Sequence, residues 1–183
     1  MRVLLIGDMH IPEKGKKIPE EFLEEAEDCD LIICTGDLTE DAVLDELFEK
    51  ADVRAVKGEE DFMDLPEQDL VAVEEMKFGV VHGHQVDDVI EEDEEARGEM
   101  ERTCRNEDEC KKEKARPEKL MEFADLLKAD VLVTGHTHKP FRTEKRGTVL
   151  LNPGSATGVD GRKTCMLVVV EGTELKECEI LTA

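Results

Sequence analysis

The apolar positions of the first half of the chain follow two patterns, and together these predict an alternation of strands and helices. Short continuous apolar runs at residues 3–6 and 31–34 predict strands that are buried on both faces. Apolar side chains at helical spacing predict helices over about 19–28 and 40–50. With a third strand at 53–56, the order β-α-β-α-β implies an α/β fold with a parallel sheet and right-handed crossovers.

The second half of the chain predicts hairpins. Strands at residues 70–73 and 78–81 are expected to pair through a turn near 75–77, and an amphipathic helix over 118–128 precedes a buried strand at 131–133. Four further strands are expected near residues 141–144, 148–151, 165–170 and 175–181. This part of the chain therefore looks antiparallel.

One charged stretch interrupts these patterns. From about residue 91 to 117, 18 of 27 residues are charged, and apolar periodicity is almost absent. We interpret this stretch as an insertion that forms a solvated helix or a mobile excursion, with docking of a partner as the alternative. No linker divides the remainder, so we expect residues 1–183 to form a single domain.

Composition excludes several classes of partner. The chain has 47 acidic and 24 basic residues, a formal net charge of -23, which disfavours nucleic acid as a non-specific partner and also disfavours anionic membranes. No apolar run approaches the ~20 residues of a membrane span, and Asp8 comes too early for a signal peptide. We expect a cytoplasmic protein. The acidity fits adaptation to salt or to high temperature, and charge alone does not separate the two.

The cysteines predict no metal-binding or redox motif. None of the six forms a C-x-x-C pair or has zinc-finger spacing. We interpret them as reduced thiols of a cytosolic protein, with a Cys104–Cys110 disulfide as the alternative.

Side chains that can bind metals or transfer protons cluster directly after the predicted strands. All five histidines and several carboxylates lie just beyond a strand, in the segments 8–10, 35–37, 57–61, 82–84 and 135–138. In open α/β sheets, sites form at the carboxyl ends of strands. In extended backbone, residues i and i+2 project to the same side, so Asp8 can act with His10, and His136 with His138. Imidazoles suit Mn, Fe, Zn or Ni, and a carboxylate can bridge two such ions. We therefore expect a metal site at these carboxyl ends.

Taken together, the motifs resemble the calcineurin-type metallophosphoesterase superfamily. The motifs that carry this resemblance are Asp8-x-His10, Gly36-Asp37, Gly58-Glu59-x-Asp61, His82 and Gly135-His136-x-His138. The short length of the chain is nearest to that of the small YfcE-like phosphodiesterases, and its motif residues are even more similar to those of the small retromer subunit of the same fold. The resemblance covers nearly the whole chain outside 91–117. It implies a two-sheet β-sandwich flanked by helices, with two metal ions at its apex.

The resemblance also implies the ligands of both ions. By motif position, one ion would be held by Asp8, His10, Asp37 and His138. Asp37 would bridge to a second ion that is held also by Glu59, His82 and His136. We expect two divalent transition-metal ions, Mn²⁺ first, with Zn, Fe or Ni as alternatives. The catalytic candidates are Asp37, as the bridge, and His84, which would face the substrate or support a ligand.

Two positions depart from the family pattern. Glu59 stands where the pattern usually has Asn, and Glu60 stands where many larger members have a catalytic His. A carboxylate there could act as an acid only if it were protonated, and as an anion it would repel phosphate. Metal binding is therefore better supported than turnover. The segment from Asn152 to Ser155 resembles a loop near the site, with a simple tight turn as an equal alternative.

The resemblance implies a metal-dependent phosphoesterase. We expect hydrolysis of a phosphodiester small molecule, in which a hydroxide generated at two metal ions attacks phosphorus in line. The alternative is a catalytically weak, metal-containing scaffold that presents a protein-binding surface, as in the retromer-type relatives, with a protein partner or a second copy of the chain bound to it. Asp37 favours the enzyme, because the eukaryotic scaffold has Asn at that position.

Overall fold

The structure is a computed structural model, and it describes residues 1–86, 107–159 and 161–183, without the side chains of 107–116. The strands and helices whose bounds are described follow in chain order. They are β1 (Arg2–Ile6), α1 (Glu20–Glu27), β2 (Leu31–Cys34), α2 (Asp41–Phe48), β3 (Asp52–Ala55), β4 (Gln68–Val73), β5 (Met76–Val81), α3 (Glu107–Leu127), β6 (Val131–Val133), β7 (Phe141–Lys145), β8 (Thr148–Asn152), β9 (Thr164–Glu171) and β10 (Glu174–Thr182).

These strands form two mixed sheets. The first has the order β10-β9-β1-β2-β3 and the second the order β4-β5-β6-β8-β7. In the first sheet, β1, β2 and β3 are parallel, which confirms the predicted β-α-β-α-β unit. In the second sheet, β5, β6 and β8 are also parallel. Several carboxyl ends of parallel strands therefore lie at one edge of each sheet.

The antiparallel second half is confirmed only for the hairpins. β7 pairs with β8, and β9 pairs with β10, in antiparallel fashion as predicted. However, β8 also runs parallel to β6, and β9 crosses to the first sheet to pair with β1. Hydrophobic periodicity reports which residues are buried, but it does not report which strand lies beside which.

The alternation of side chains in β1 separates two layers of the core. Val3 and Leu5 point between the two sheets, where they pack with Phe78. Leu4 and Ile6 point to the opposite face, where they pack against helical residues such as Phe22. Because successive strand residues face opposite sides, a continuous apolar run is required for a sheet that is covered on both faces.

The outer face of the second sheet is covered by α3. Leu120, Met121 and Ala124 of this helix form a third apolar cluster with strand residues Leu132 and Leu150. The order of layers is therefore helices, sheet, sheet, helix. This is the helix-flanked two-sheet sandwich that the resemblance implied.

Two element boundaries differ from the prediction. The helix expected from residue 118 extends back through Pro117 to Glu107, the first described residue of this part of the chain. Residues 107–117 are therefore helical, which was one of the two forms expected for the charged stretch. Its charged first half contains strong helix formers but lacks apolar periodicity, so only its second half carried a pattern. The remainder of the charged stretch, residues 91–106, lies outside the described residues. The turn expected near 75–77 lies one residue earlier, because Val73 pairs with Met76 and Glu74 takes a positive φ of 55°.

Four cysteines are free thiols in the described part of the chain, namely Cys29, Cys34, Cys165 and Cys178. The expected alternative of a Cys104–Cys110 disulfide lies outside the described residues. Burial raises the pKa of Cys29 to about 11, so its reactive thiolate is scarce near neutral pH.

None of the helices in the described segments is both long enough and apolar enough to cross a membrane.

Candidate metal centre

The segments that follow the parallel strands meet at one end of the two sheets. Backbone hydrogen bonds hold them together: the N–H of Met9 donates to the carbonyl oxygen of Asp37 at 2.9 Å, and the N–H of Gly135 donates to that of His82 at 2.8 Å. Each of these bonds joins segments of one sheet, and the N–H of His136, which donates to Oδ1 of Asp8 at 3.0 Å, joins the two sheets. Residues from both sheets thus reach one place, as expected for the carboxyl ends of parallel strands.

The first group of candidate ligands consists of Asp8, His10 and His138, whose ligand atoms all lie within 4.8 Å of one another. The Nε2 atoms of His10 and His138 are 3.2 Å apart. Oδ1 of Asp8 lies 4.0 Å from Nε2 of His138. These are the oxygen and imidazole donors that transition metals accept.

A second group consists of Asp8, Asp37 and His82. Oδ2 of Asp37 lies 3.3 Å from Nε2 of His82 and 3.5 Å from Nε2 of His10. The carboxylate of Asp37 therefore stands between one histidine from each group. Asp8 is common to both groups, a sharing that the resemblance did not imply.

Buried polar atoms without partners show that these residues suit a cation. Oδ2 of Asp8 and Nε2 of His82 are buried, and neither makes a well-aligned hydrogen bond among the described residues, although Oδ2 of Asp37 lies 3.3 Å from Nε2. Such atoms are costly in a folded protein unless something satisfies them. A divalent cation would satisfy both, because each is a lone-pair donor. The donor set therefore fits a transition-metal site.

The backbone at the site is strained. Several candidate ligands take left-handed φ angles between 47° and 68°, namely Asp8, His10, Asp37, His136 and His138. Residues other than glycine adopt this region rarely, and such strain clusters where a site requires a particular side-chain direction.

The two buried carboxylates differ in protonation behaviour. Burial raises the pKa of Asp8, although the neighbouring His82 and His138 oppose that shift. Burial would also raise the pKa of Asp37, but His82, the N–H of Glu60 and His10 outweigh it, so this pKa lies below its usual range. Asp37 is therefore an anion near neutral pH, as a bridging ligand must be.

Two of the predicted ligands of the second ion lie beside these groups. The ring centroids of His82 and His136 are 5.3 Å apart. Oε2 of Glu59 lies 3.9 Å from Nδ1 of His136, and the Glu59 side chain is 62% exposed. Neither His136 nor Glu59 belongs to a three-residue donor group in the described part of the chain. Ligation by these two residues stays a prediction.

His84 lies at the start of a helical turn, beside His82 and His136, with ring centroids 5.4 and 6.4 Å from theirs. Its Nδ1 atom is buried and has no hydrogen-bond partner among the described residues. Burial and the neighbouring His82 lower the pKa of His84. A neutral imidazole beside the site fits the predicted supporting or substrate-facing role.

Asp61 braces the site, a role that the sequence did not reveal. Its buried carboxylate accepts hydrogen bonds of 2.8 Å from the backbone N–H groups of Asp37, Thr39 and Gly58. A Cβ atom at Gly58 would lie 2.2 Å from Oδ1 of Asp37, so the backbone passes closer to that carboxylate than a side chain would permit. The sequence feature that could have revealed this role is the acidic residue three positions after Gly58.

Glu60 is engaged with neighbours at the site. Its carboxylate pairs with Nδ1 of His10 at 2.9 Å and with Nζ of Lys14 at 2.8 Å. These hydrogen bonds, that from Lys14 first, lower the pKa of Glu60. The carboxylate is therefore an anion, which makes it unsuited to donate a proton to a leaving group.

The segment from Asn152 to Ser155 is both a turn and a support for the site. Nδ2 of Asn152 donates to the carbonyl oxygen of Gly135 at 2.8 Å. Oγ of Ser155 donates to the carbonyl oxygen of Asp8 at 2.7 Å. The N–H of Gly154 donates to Oδ1 of Asn152 at 2.8 Å, as in a tight turn. The segment thus combines both alternatives, because the turn carries the polar groups that anchor two ligand-bearing segments.

Known proteins share these sequence and structural features. Residues 1–173 match the calcineurin-like phosphoesterase superfamily domain. The probable metallophosphoesterase of Methanocaldococcus jannaschii is 34% identical over 157 residues, covering 86% of this chain and 69% of that protein. The probable metallophosphoesterase of Methanothermobacter thermautotrophicus is 33% identical over 160 residues, covering 86% of this chain and 78% of that protein.

A solved structure agrees with these relatives. Wild-type Vps29 from Entamoeba histolytica, complexed with Zn²⁺, is 32% identical and covers 100% of this chain and 99% of its own, with a TM-score of 0.74. Because the family domain matches nearly the whole chain, and these relatives exceed 30% identity, the resemblance is confirmed. The chain belongs to the calcineurin-like phosphoesterase superfamily.

Proposed function

We propose that this protein is a metal-dependent phosphoesterase that hydrolyses a phosphodiester small molecule with two divalent ions. The observation that carries the proposal is the position of Asp37, whose Oδ2 lies 3.3 Å from Nε2 of His82 and 3.5 Å from Nε2 of His10. A carboxylate can bridge two metal ions, and this oxygen lies between two imidazole nitrogens that could each ligate one of them.

The proposed ligands combine the two donor groups of the structure with the positions of the family motifs. Asp8, His10, Asp37 and His138 would hold one ion, and Asp37, Glu59, His82 and His136 would hold the other. When bound, the ions supply Lewis-acid activation of water and neutralise charge on the phosphoryl oxygens. We expect Mn²⁺, with Zn²⁺ as the first alternative because the similar Vps29 is complexed with Zn²⁺.

The protein's own groups orient these ligands. Nδ1–H of His82 donates to the carbonyl oxygen of Thr35 at 2.7 Å, which directs Nε2 into the site. The N–H of His136 donates to Oδ1 of Asp8 at 3.0 Å, which fixes that carboxylate. Such partners orient a ligand before the metal arrives. The orienting groups favour a pre-formed centre.

A scaffold function is the second candidate, and a surface feature favours it. Phe62 is 95% exposed, although it directly follows the site residue Asp61. With Met63 and four residues of the segment 39–42, it lines a pocket of about 390 Å³. An exposed aromatic residue of this kind is a frequent anchor for a protein partner. Under this hypothesis the metal centre would stabilise a docking surface and turnover would be slight.

The deciding experiment is hydrolysis by the metal-stripped protein after it is reloaded. Full-length protein is dialysed against a chelator, titrated with Mn²⁺, and assayed with bis(p-nitrophenyl) phosphate and with p-nitrophenyl phosphate. We expect Mn²⁺-dependent hydrolysis that favours the diester, and two bound ions by metal analysis. An Asp64→Asn variant, altered at an exposed position of the same loop, serves as the matched control. Two bound ions without hydrolysis of either ester would favour the scaffold.

A further inference from the structure

The two ring nitrogens of His10 have different partners. Nε2 faces the other candidate ligands, 3.2 Å from Nε2 of His138 and 3.5 Å from Oδ2 of Asp37. Nδ1 points away from them and lies 2.9 Å from Oε2 of Glu60. Nζ of Lys14 is farther from Nδ1, at 3.5 Å. Because an ionised carboxylate only accepts hydrogen bonds, the shorter contact with Glu60 places the proton of the neutral ring on Nδ1. The Nε2 lone pair is then directed to the metal centre.

Glu60 is itself held in place on both sides. Its second oxygen, Oε1, accepts a hydrogen bond from Nζ of Lys14 at 2.8 Å. Its backbone N–H donates to Oδ1 of Asp37 at 2.8 Å. One residue therefore contacts two candidate ligands, one through its side chain and one through its backbone. Lys14 anchors the free end of the side chain.

The comparison with His82 gives this contact a role. His82 donates its Nδ1–H to a backbone carbonyl, that of Thr35, and so presents Nε2 to the site. His10 presents Nε2 in the same way, but its partner is a side chain. A ligand histidine whose other nitrogen donates to a carboxylate is held in one tautomer and is a stronger base. Loss of such a partner removes the hydrogen bond that fixes the tautomer.

We propose that Glu60 is a positioning residue of the metal centre, which holds the Nδ1–H tautomer of His10 and thereby raises the affinity of the ion that His10 ligates. This inference rests on the proposed metal centre. It gives Glu60 a different task from the proton-donating histidine that larger family members carry at this position. The carboxylate acts through a ligand and does not touch the substrate.

The test compares Glu60→Ala with Glu60→Gln in the full-length protein, with Asp64→Asn as the charge control. Gln retains an oxygen that can accept the Nδ1–H bond but loses the charge, whereas Ala loses both. The first measurement is Mn²⁺ affinity by calorimetric titration. The second is the tautomer of His10 in the metal-free protein, from the ¹⁵N shifts of its ring at a pH where the ring is neutral. The second readout is independent of metal and of activity.

We expect Glu60→Ala to lower the affinity of one Mn²⁺ site by about 10- to 100-fold, the range found when such supporting partners are removed. The His10 ring should then populate both tautomers. Glu60→Gln should retain the Nδ1–H tautomer and most of the affinity, and Asp64→Asn should match the wild type. If Glu60→Ala retains both the affinity and the tautomer, the inference is wrong.

Equal losses of affinity in Glu60→Ala, Glu60→Gln and Asp64→Asn would also overturn it, because charge alone would then explain the effect. Absence of Mn²⁺ binding by the wild type would overturn the metal centre, and this inference with it. If the wild type binds Mn²⁺ normally and Glu60→Ala changes neither the Mn²⁺ affinity nor the His10 tautomer, only this inference is overturned. The two failures are therefore distinguishable.

Discussion

The Nε2 atoms of His10 and His138 face each other at 3.2 Å, although 128 residues separate the two histidines in the chain. Their rings meet edge to face, with centroids 5.1 Å apart. If both protons reside on the Nδ1 atoms, two lone pairs point at each other, which is unfavourable until a cation lies between them. Together with the buried carboxylate of Asp8, this pair places three possible ligand atoms for a cation within 4.8 Å of one another.

The position of Asp37 predicts the largest single loss at the site. Asp37→Asn should weaken binding of the second metal ion and lower hydrolysis by at least ~100-fold, because a two-metal clamp would lose its anionic bridge. Metal content by mass spectrometry and initial rates with bis(p-nitrophenyl) phosphate measure both effects. Asp64→Asn should retain the wild-type values. Full metal content and activity in Asp37→Asn would remove the two-metal hypothesis.

Glu59 predicts a trade between metal affinity and turnover. A carboxylate holds a divalent cation more tightly than an amide oxygen does, but its charge also reduces the polarising power of the ion. Glu59→Asn should therefore loosen the second Mn²⁺ and raise turnover at saturating Mn²⁺. Activity is titrated against Mn²⁺ for both proteins. Identical curves would show that Glu59 is not a ligand. Its side chain, which is 62% exposed, would then face solvent and not the metal.

Asp61 predicts a loss of folding stability that also reaches the metal centre. Its carboxylate accepts hydrogen bonds from three backbone N–H groups. In Asn at this position, the side-chain NH₂ group is a donor and would face at least one of these N–H donors. Asp61→Asn should lower the free energy of unfolding by about 2 kcal/mol or more, since hydrogen bonds to charged groups are among the stronger ones. Urea denaturation measures this.

The control for Asp61 is again the exposed Asp64. Asp64→Asn should change the unfolding free energy by less than about 0.5 kcal/mol, the scale of an ordinary surface substitution. Mn²⁺ affinity should fall in Asp61→Asn and not in the control, because the segment that carries Asp37 is released. A variant of Asp61 with unchanged stability and affinity would show that the three hydrogen bonds are dispensable.

The net charge of -23 predicts a dependence of stability on salt. If the acidity is an adaptation to salt, self-repulsion weakens folding in dilute buffer, and screening relieves it because the Debye length shortens to ~3 Å at 1 M. The melting temperature should then rise substantially between low and molar KCl, and NaCl should act alike at equal ionic strength. A melting temperature that does not change with salt would mean that the acidity serves solubility or partner binding instead.

The buried thiols predict resistance to alkylation in the native protein. Burial raises the pKa of Cys29 to about 11 and also raises that of Cys34 and of Cys165. A pKa above the usual value means less thiolate at pH 8, and the thiolate is the nucleophile. Peptides with these cysteines should stay unmodified by iodoacetamide in native protein and react fully after denaturation. Rapid native alkylation would show that the core around them opens.

Local patterns along the chain were sufficient for much of the fold. Continuous apolar runs such as that in β1 located the buried strands, and helical spacing located α1 and α2, because burial periodicity depends on near neighbours. The same local logic placed Asp8, His10, Asp37 and the other histidines just beyond strands. Where the charged half of α3 lacked an apolar pattern, the sequence left a helix and a mobile excursion as alternatives, and the structure has a helix over 107–117.

Long-range contacts decided the remainder. The parallel passage of β8 beside β6, the sharing of Asp8 by two donor groups, and the bond between Glu60 and His10 each join residues far apart in the chain. No spacing rule reports such pairings, because they depend on how two sheets pack and which loops then meet. The identities of the candidate ligands were thus readable from the chain, whereas their mutual orientation and support arise only when the sheets are packed together.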